Sequence, residues 1–272
     1  MWGHQNLQMF ISKKICYLEL EKTAISSIRE FFKKNISDGQ ITGVHNFVTK
    51  EMLNNDLFFV GSIRNPLDWY ISRWSYGCMS NNSDSMYKNL TNKRLSYSRI
   101  KNIKGQNFKK FNYLKNQILK NKKYWIDLYS DPYDAKKFRE WLKSVLDGNK
   151  KKDLAEQYYF SSLYGNFGYM TFRYLIMFTL PTKREFIFNN LVNYDELKSF
   201  DKEFNFINFF IKFENLDYNL EKLFNVLKLK IINKIKKINP SSRKPDINYY
   251  YDNECKEMVK HYEKYMFEKH NY

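Results

Sequence analysis

Three observations predict an α/β fold with a central parallel sheet and helices on both faces. Residues 58–63, FFVGSI, form a short apolar run that ends at a helix start, Asn65-Pro66. Residues 10–20, FISKKICYLEL, form a second run that leads through a polar turn into the helical pattern Ile28, Phe31, Phe32. Residues 206–213 form a third run, followed by an amphipathic segment to Leu227. Strands that alternate with helices build parallel sheets, with a helix crossing over between successive strands.

The length of 272 residues supports one domain, 1–272, with an insertion at about 79–163. Repeats and low-complexity linkers are absent from the sequence. The longest apolar run, 174–180, is too short to span a bilayer, and no membrane span is expected. The opening MWGHQNLQMF lacks a basic region followed by an apolar core, so a secretory leader is not expected either. Cys16, Cys78 and Cys255 are widely spaced and odd in number. A reduced, cytoplasmic protein is the expectation, and no metal-ligand spacing is visible.

The net charge of +17 points to phosphorylated or polyanionic partners. Heavy use of Lys, Asn, Ile, Phe and Tyr is also what an AT-rich coding sequence imposes, and both explanations stand. The same holds for the aromatic residues, many of which are expected in the core.

Taken in order, the first run ends at Leu20 and is followed by Glu21-Lys22-Thr23-Ala24-Ile25-Ser26-Ser27. A strand, a short turn and a helix that opens with hydroxyl residues make a phosphate cradle. Free backbone N–H groups and the helix dipole attract the anion, and hydroxyls add donors. The nucleotide-kinase loop GxxxxGK[ST] is absent, which argues against a kinase. In the second unit, Arg64 stands at the carboxyl end of a strand, where open α/β sheets bind ligands. Ser72, two helical turns past the cap, faces the same side. A guanidinium and a hydroxyl that converge suit a phosphate.

The Arg64-Asn65-Pro66 turn with Ser72 resembles the 3′-phosphate-binding element of sulfotransferases. Those enzymes use 3′-phosphoadenosine 5′-phosphosulfate (PAPS) as sulfuryl donor. Lys22, Thr23, Ser26 and Ser27 match the family's 5′-phosphosulfate loop, a Pro-Lys-Thr-Gly-Gly-Thr-Ser-like string. Glu21 stands where proline is common, and Ala24-Ile25 where small residues are common. The phrase IKFENLDYNLEKL resembles the family's strand–Glu–Asn–Leu–helix unit, with Glu214 a structural residue that holds a turn or a basic partner. The stretch Asn239-Pro240-Ser241-Ser242-Arg243 resembles a loop that closes over the cofactor; a basic linker is the other reading.

The resemblance implies a P-loop-NTPase-like sulfotransferase fold and transfer of a sulfuryl group to a hydroxyl, or less often an amine, of an acceptor such as a carbohydrate. It implies Lys22 at the leaving oxygen and His45, between the two phosphate elements, as base. Glu19, Glu21 and Asp68 are the fallback bases. It further implies that Lys22, Thr23, Ala24, Ile25, Ser26, Ser27, Arg64, Ser72 and Arg243 bind PAPS and its product, adenosine 3′,5′-bisphosphate. No metal and no specific nucleic acid are implied. An alternative is a catalytically impaired protein of the same fold that binds nucleotide or polyanion through its basic surface, as Glu21 and Ile25 would allow.

The remaining elements follow from pattern. Residues 85–125 carry twelve Lys or Arg and no Asp or Glu, read as a solvated insertion or a basic flap over an acidic substrate. Residues 134–146 are a core-facing helix that ends at Gly148. Arg173, inside the apolar stretch 164–180, pairs with a core carboxylate or reaches the acceptor. Residues 184–197 read as one helix and 249–272 as a Tyr-rich stretch with a closing helix.

Overall fold

The computed structural model describes residues 9–42, 48–79, 85–93, 107–146, 150–236 and 242–272. Its strands are β1 (Met9–Ile11), β2 (Ile15–Leu18), β3 (Gln40–Thr42), β4 (Phe58–Ile63) and β5 (Phe209–Lys212). They form a sheet in the order β3-β1-β2-β4-β5. β2, β4 and β5 run parallel, with Leu18 opposite Gly61 and Ile63 opposite Lys212. β1 is antiparallel to both β2 and β3. The sheet is therefore mixed, a correction to the expected all-parallel sheet.

The cause lies at residues 12–14. The expected single strand over 10–20 folds back on itself, because Ser12 Oγ accepts from the Lys14 and Ile15 amides and Ser12 N–H donates to Ile15 O at 2.8 Å. A hydroxyl-stabilised turn of this kind needs neither Gly nor Pro.

The helices, in chain order, are α1 (Ile25–Asn35), α2 (Lys50–Leu53), α3 (Pro66–Met79), α4 (Ser85–Thr91) and α5 (Asn107–Leu119). Next come α6 (Lys122–Leu128), α7 (Ala135–Leu146), α8 (Glu156–Phe160), α9 (Tyr169–Phe178) and α10 (Phe186–Asn189). The last five are α11 (Tyr194–Phe204), α12 (Leu216–Val226), α13 (Ile247–Tyr250), α14 (Asn253–Tyr262) and α15 (Lys264–His270).

Strand alternation sorts the core into two layers. Ile15, Tyr17, Val60 and Ile211 face α1 and α12, where Phe32 stacks on Phe224. Cys16, Leu18, Phe59 and Ile63 face the larger layer, which holds α3, α7 and α9. Helices therefore cover both faces, as expected. α9 is buried along its whole length, which fits a helix apolar all round. Gly61 lets the rings of Phe178 and Phe210 close on the sheet, because a Cβ there would lie 2.8 Å from Phe210.

Three other expectations need correction. The helix expected over 184–197 is two helices, because Asn193 and Glu196 form a reciprocal capping box that starts α11 anew. The closing helix is likewise divided, at Glu263, into α14 and α15. The insertion is not merely solvated either: Met86, Leu90, Trp125 and Leu128 are buried in the same core as Trp69 and Trp74.

Candidate functional site

The site begins at the turn between β4 and α3. Asn65 Oδ1 accepts from the Leu67 amide at 2.9 Å, and Pro66 opens the helix. This fixes Arg64 at the carboxyl end of β4, where it is buried. Its guanidinium carbon lies over the Phe213 ring, 3.8 Å from the ring centre. Nε donates to Asp68 Oδ2 at 2.7 Å and Nη1 donates to the Lys22 carbonyl at 2.9 Å. Burial and the neighbouring Arg243 depress the Arg64 pKa, while Asp68 opposes them.

Arg64 thus joins the two predicted phosphate elements directly. Trp69 strengthens the joint by donating from Nε1 to the Glu21 carbonyl at 2.7 Å. Successive carbonyls of the loop between β2 and α1 are held by side chains of the β4–α3 unit. Neither Trp69 nor Asp68 was identified as a binding residue from sequence. The Arg64–Asp68 spacing of four residues, a helical neighbour distance, is the one clue that was available.

Arg243 reaches the same carboxylate from a third segment, with Nη2 2.5 Å from Asp68 Oδ1. Its Nη1 is buried and has no hydrogen-bond partner among the described residues. Asp68, Ser72 and Tyr76 recur at four-residue intervals on α3 and so share one stripe of the helix. Asp68 holds the two arginines at one end of the stripe. At the other end the Lys22 ammonium sits 3.5 Å above the Tyr76 ring. Ser72 lies between them and is buried, on the side where the sequence places it.

The cradle divides its residues between two tasks. Thr23 turns inward: Oγ1 donates to Leu20 O at 2.6 Å and lies 2.6 Å from Ser62 Oγ, which is 2.8 Å from Tyr17 OH. Its hydroxyl is a peg that fastens the loop to β4. Ser27 is buried, Ser26 is exposed, and Lys22, Ala24 and Ile25 are half-buried. α1 has no side-chain cap, and its first intrahelical bond runs from Ile28 N–H to Ala24 O at 3.0 Å. The amides of Ile25, Ser26 and Ser27 precede that bond, the arrangement that receives anions at helix starts.

Glu21 does not point a charge into the cradle. Its carboxylate lies 2.5 Å from Arg173 Nη2 on α9. Burial alone would raise its pKa, but Arg173 and Arg73 outweigh burial and hold it below the usual carboxylate range. This also settles the role of Arg173 in favour of a core carboxylate. Glu19 binds Arg29 through both oxygens, at 2.9 and 2.6 Å, yet burial raises it to about 7 against the pull of that arginine. Glu214 holds a turn, accepting from the Asn65 amide at 2.6 Å and from Tyr272 OH at 3.1 Å.

His45 lies outside the described residues. β3 runs in the same direction as β2, so its carboxyl end at Thr42 reaches the edge of the sheet that carries the cradle.

At the site three cations, Lys22, Arg64 and Arg243, meet two carboxylates, Asp68 and Glu214. With an uncapped helix start and a buried guanidinium nitrogen that lacks an acceptor among the described residues, the donor set fits a phosphate-bearing ligand. Comparison of the chain with protein-family models, with curated proteins and with solved structures returns no match.

Proposed function

We propose that the chain is a PAPS-dependent sulfotransferase that acts on a hydroxyl, or less often an amine, of an acceptor such as a carbohydrate. The supporting observation is the Arg64 side chain, which ties the β2–α1 loop to the β4–α3 turn and shares Asp68 with Arg243. PAPS, when bound, supplies the activated sulfuryl group. Arg64, Ser72 and Arg243 hold its 3′-phosphate, while Lys22 and the first amides of α1 face the 5′ side. Lys22 stabilises charge on the leaving oxygen, an effect commonly worth about 3–4 kcal/mol.

Proton acceptance falls to His45. Each fallback carboxylate already neutralises a guanidinium: Glu19 that of Arg29, Glu21 that of Arg173, Asp68 those of Arg64 and Arg243. A neutral imidazole is a fitting base near pH 7, whereas Glu19, although burial raises it to about 7, has both oxygens held by Arg29. A binding protein without transfer activity is the second reading. It rests on Ile25, whose branched side chain stands half-buried in the first turn of α1.

The test is nucleotide binding. Adenosine 3′,5′-bisphosphate should raise the melting temperature, and adenosine 5′-monophosphate should do so much less. Native-state binding stabilises by about 2.7 kcal/mol at a hundredfold excess over Kd. Equal shifts from the two nucleotides would remove Arg64, Ser72 and Arg243 from the site. Nucleotide binding with no transfer to a broad panel of acceptors would favour the second reading.

A further inference from the structure

Helix α5 is anchored on one side only. Tyr113 and Gln117 are buried, and Tyr113 packs on Phe160. The opposite side carries Phe108, 79% exposed, Phe111, 65%, Ile118, 57%, and Leu119, 69%. With 3.6 residues per turn, these four and the exposed Lys115 fall within about 100° of arc, along a helix roughly 20 Å long. Large apolar residues on the outer face of a helix are unusual for a water-facing surface, where such positions are normally polar.

The segment that carries this stripe is basic in sequence, although Lys120 is buried and bonded to Asn89 O and Gln117 Oε1 and so does not reach the surface. Residues 107–123 contain six lysines, no arginine and no acidic residue. Lys109, Lys122 and Lys123 are exposed beside the stripe. The wider stretch 85–125 carries twelve basic residues without one acid.

We propose that the α5 face binds the surface of an anionic lipid bilayer, with the apolar stripe at the level of the acyl chains and the lysines at the headgroups. Ile118 and Leu119 decide between polyanions. They have no π-face on which a nucleic-acid base could stack, and the small C–H faces of a sulfated or carboxylated glycan cover little of their apolar surface. A bilayer boundary accepts them. The exposed lysines Lys109, Lys115, Lys122 and Lys123 fit the same partner. The long apolar stem of a lysine lies along the acyl boundary while the ammonium stays at the headgroups. The site proposed for nucleotide does not enter this inference.

The test uses the full chain with phosphatidylcholine vesicles, with and without phosphatidylserine, in a flotation assay. The protein should float with the phosphatidylserine vesicles and much less with the neutral ones. Phe111→Ser with Leu119→Ser should weaken that binding by at least about tenfold, because each removes apolar surface from the bilayer. The melting temperature should hold, since both side chains are exposed. Lys115→Gln with Lys122→Gln should weaken binding and flatten its salt dependence. Unchanged flotation of the Phe111/Leu119 variant would overturn the proposal. So would capture of heparin or duplex RNA by a protein that ignores both kinds of vesicle.

Discussion

Lys22 and Ala24 hold left-handed backbone, at φ 68° and 64°, in the loop that approaches the proposed anion. Such a conformation costs an L-residue roughly 1–2 kcal/mol, and it persists only where its surroundings impose it. Here they do: Arg64 binds the Lys22 carbonyl, Trp69 the Glu21 carbonyl and Thr23 the Leu20 carbonyl. Lys22→Ala keeps the carbonyl that Arg64 holds, so the loop should survive. Turnover should then fall by about a hundred- to a thousandfold, with a smaller loss of bisphosphate affinity because Lys22 also faces the 5′ side. His45→Ala should likewise bind nucleotide and lose about a hundredfold or more in rate. Normal turnover in either variant, measured on an active acceptor, would take that residue out of the chemistry. His270 offers a separate test at this scale. Its ring packs on Tyr174 and Phe210, and burial, with Lys269 and Lys212 nearby, lowers its pKa to about 3. The folded value lies below the unfolded value of 6.5, so this stability is complete above pH 6.5 and is lost as pH falls toward 3. His270→Phe should flatten that acid-side loss, by up to about 1.4 kcal/mol per pH unit, in urea midpoints taken across the range. Parallel midpoint curves for the two proteins would refute the assignment.

At the scale of elements, Asn65-Pro66 was legible as a helix start because both residues act locally, one through its side chain and one through its ring. The break before α11 was legible in principle too, since Asn193 and Glu196 spell a capping box, but the apolar residues on either side read as one periodic run. The hairpin of β1 and β2 was hidden, because a serine hydroxyl makes the turn and lysines are common everywhere in this chain. The role of Thr23 could not be read at all, because its partner Ser62 is 39 residues away. The structure makes Thr23 a fastening between loop and strand. Thr23→Val keeps the shape but removes both hydrogen bonds and leaves Ser62 without one of its partners. It should destabilise by about 1–3 kcal/mol in chemical denaturation, with bisphosphate affinity per folded molecule nearly unchanged. Loss of affinity at full stability would instead return Thr23 to the ligand.

Across the whole molecule the sheet separates two layers, and the pairing of Glu21 with Arg173 spans 152 positions of sequence to bind the cradle to the larger one. From sequence, Glu21 read as an unfavourable charge beside an anion, and Arg173 could not be assigned, because composition and periodicity carry no information about such distant partners. The basic insertion misled in the same way. Its charge suggested solvent, while its buried Met86, Leu90 and Trp125 complete the core around Trp69 and Trp74. The Glu21–Arg173 pair is nearly enclosed, with 13% and 9% of the two side chains exposed. Replacing Glu21 by proline, to match the sulfotransferase string more closely, is therefore expected to fail. It would leave Arg173 as uncompensated charge inside the protein. Removal of one partner from a buried pair typically costs about 3–5 kcal/mol, whereas replacing both with apolar residues costs far less. Glu21→Gln should lower the urea midpoint by an amount in that range. Glu21→Leu combined with Arg173→Leu should recover part of the loss. If Glu21→Gln unfolded at the wild-type midpoint, the pair would contribute nothing to the fold. Glu21 would then have to be weighed again as a charge that opposes the anion.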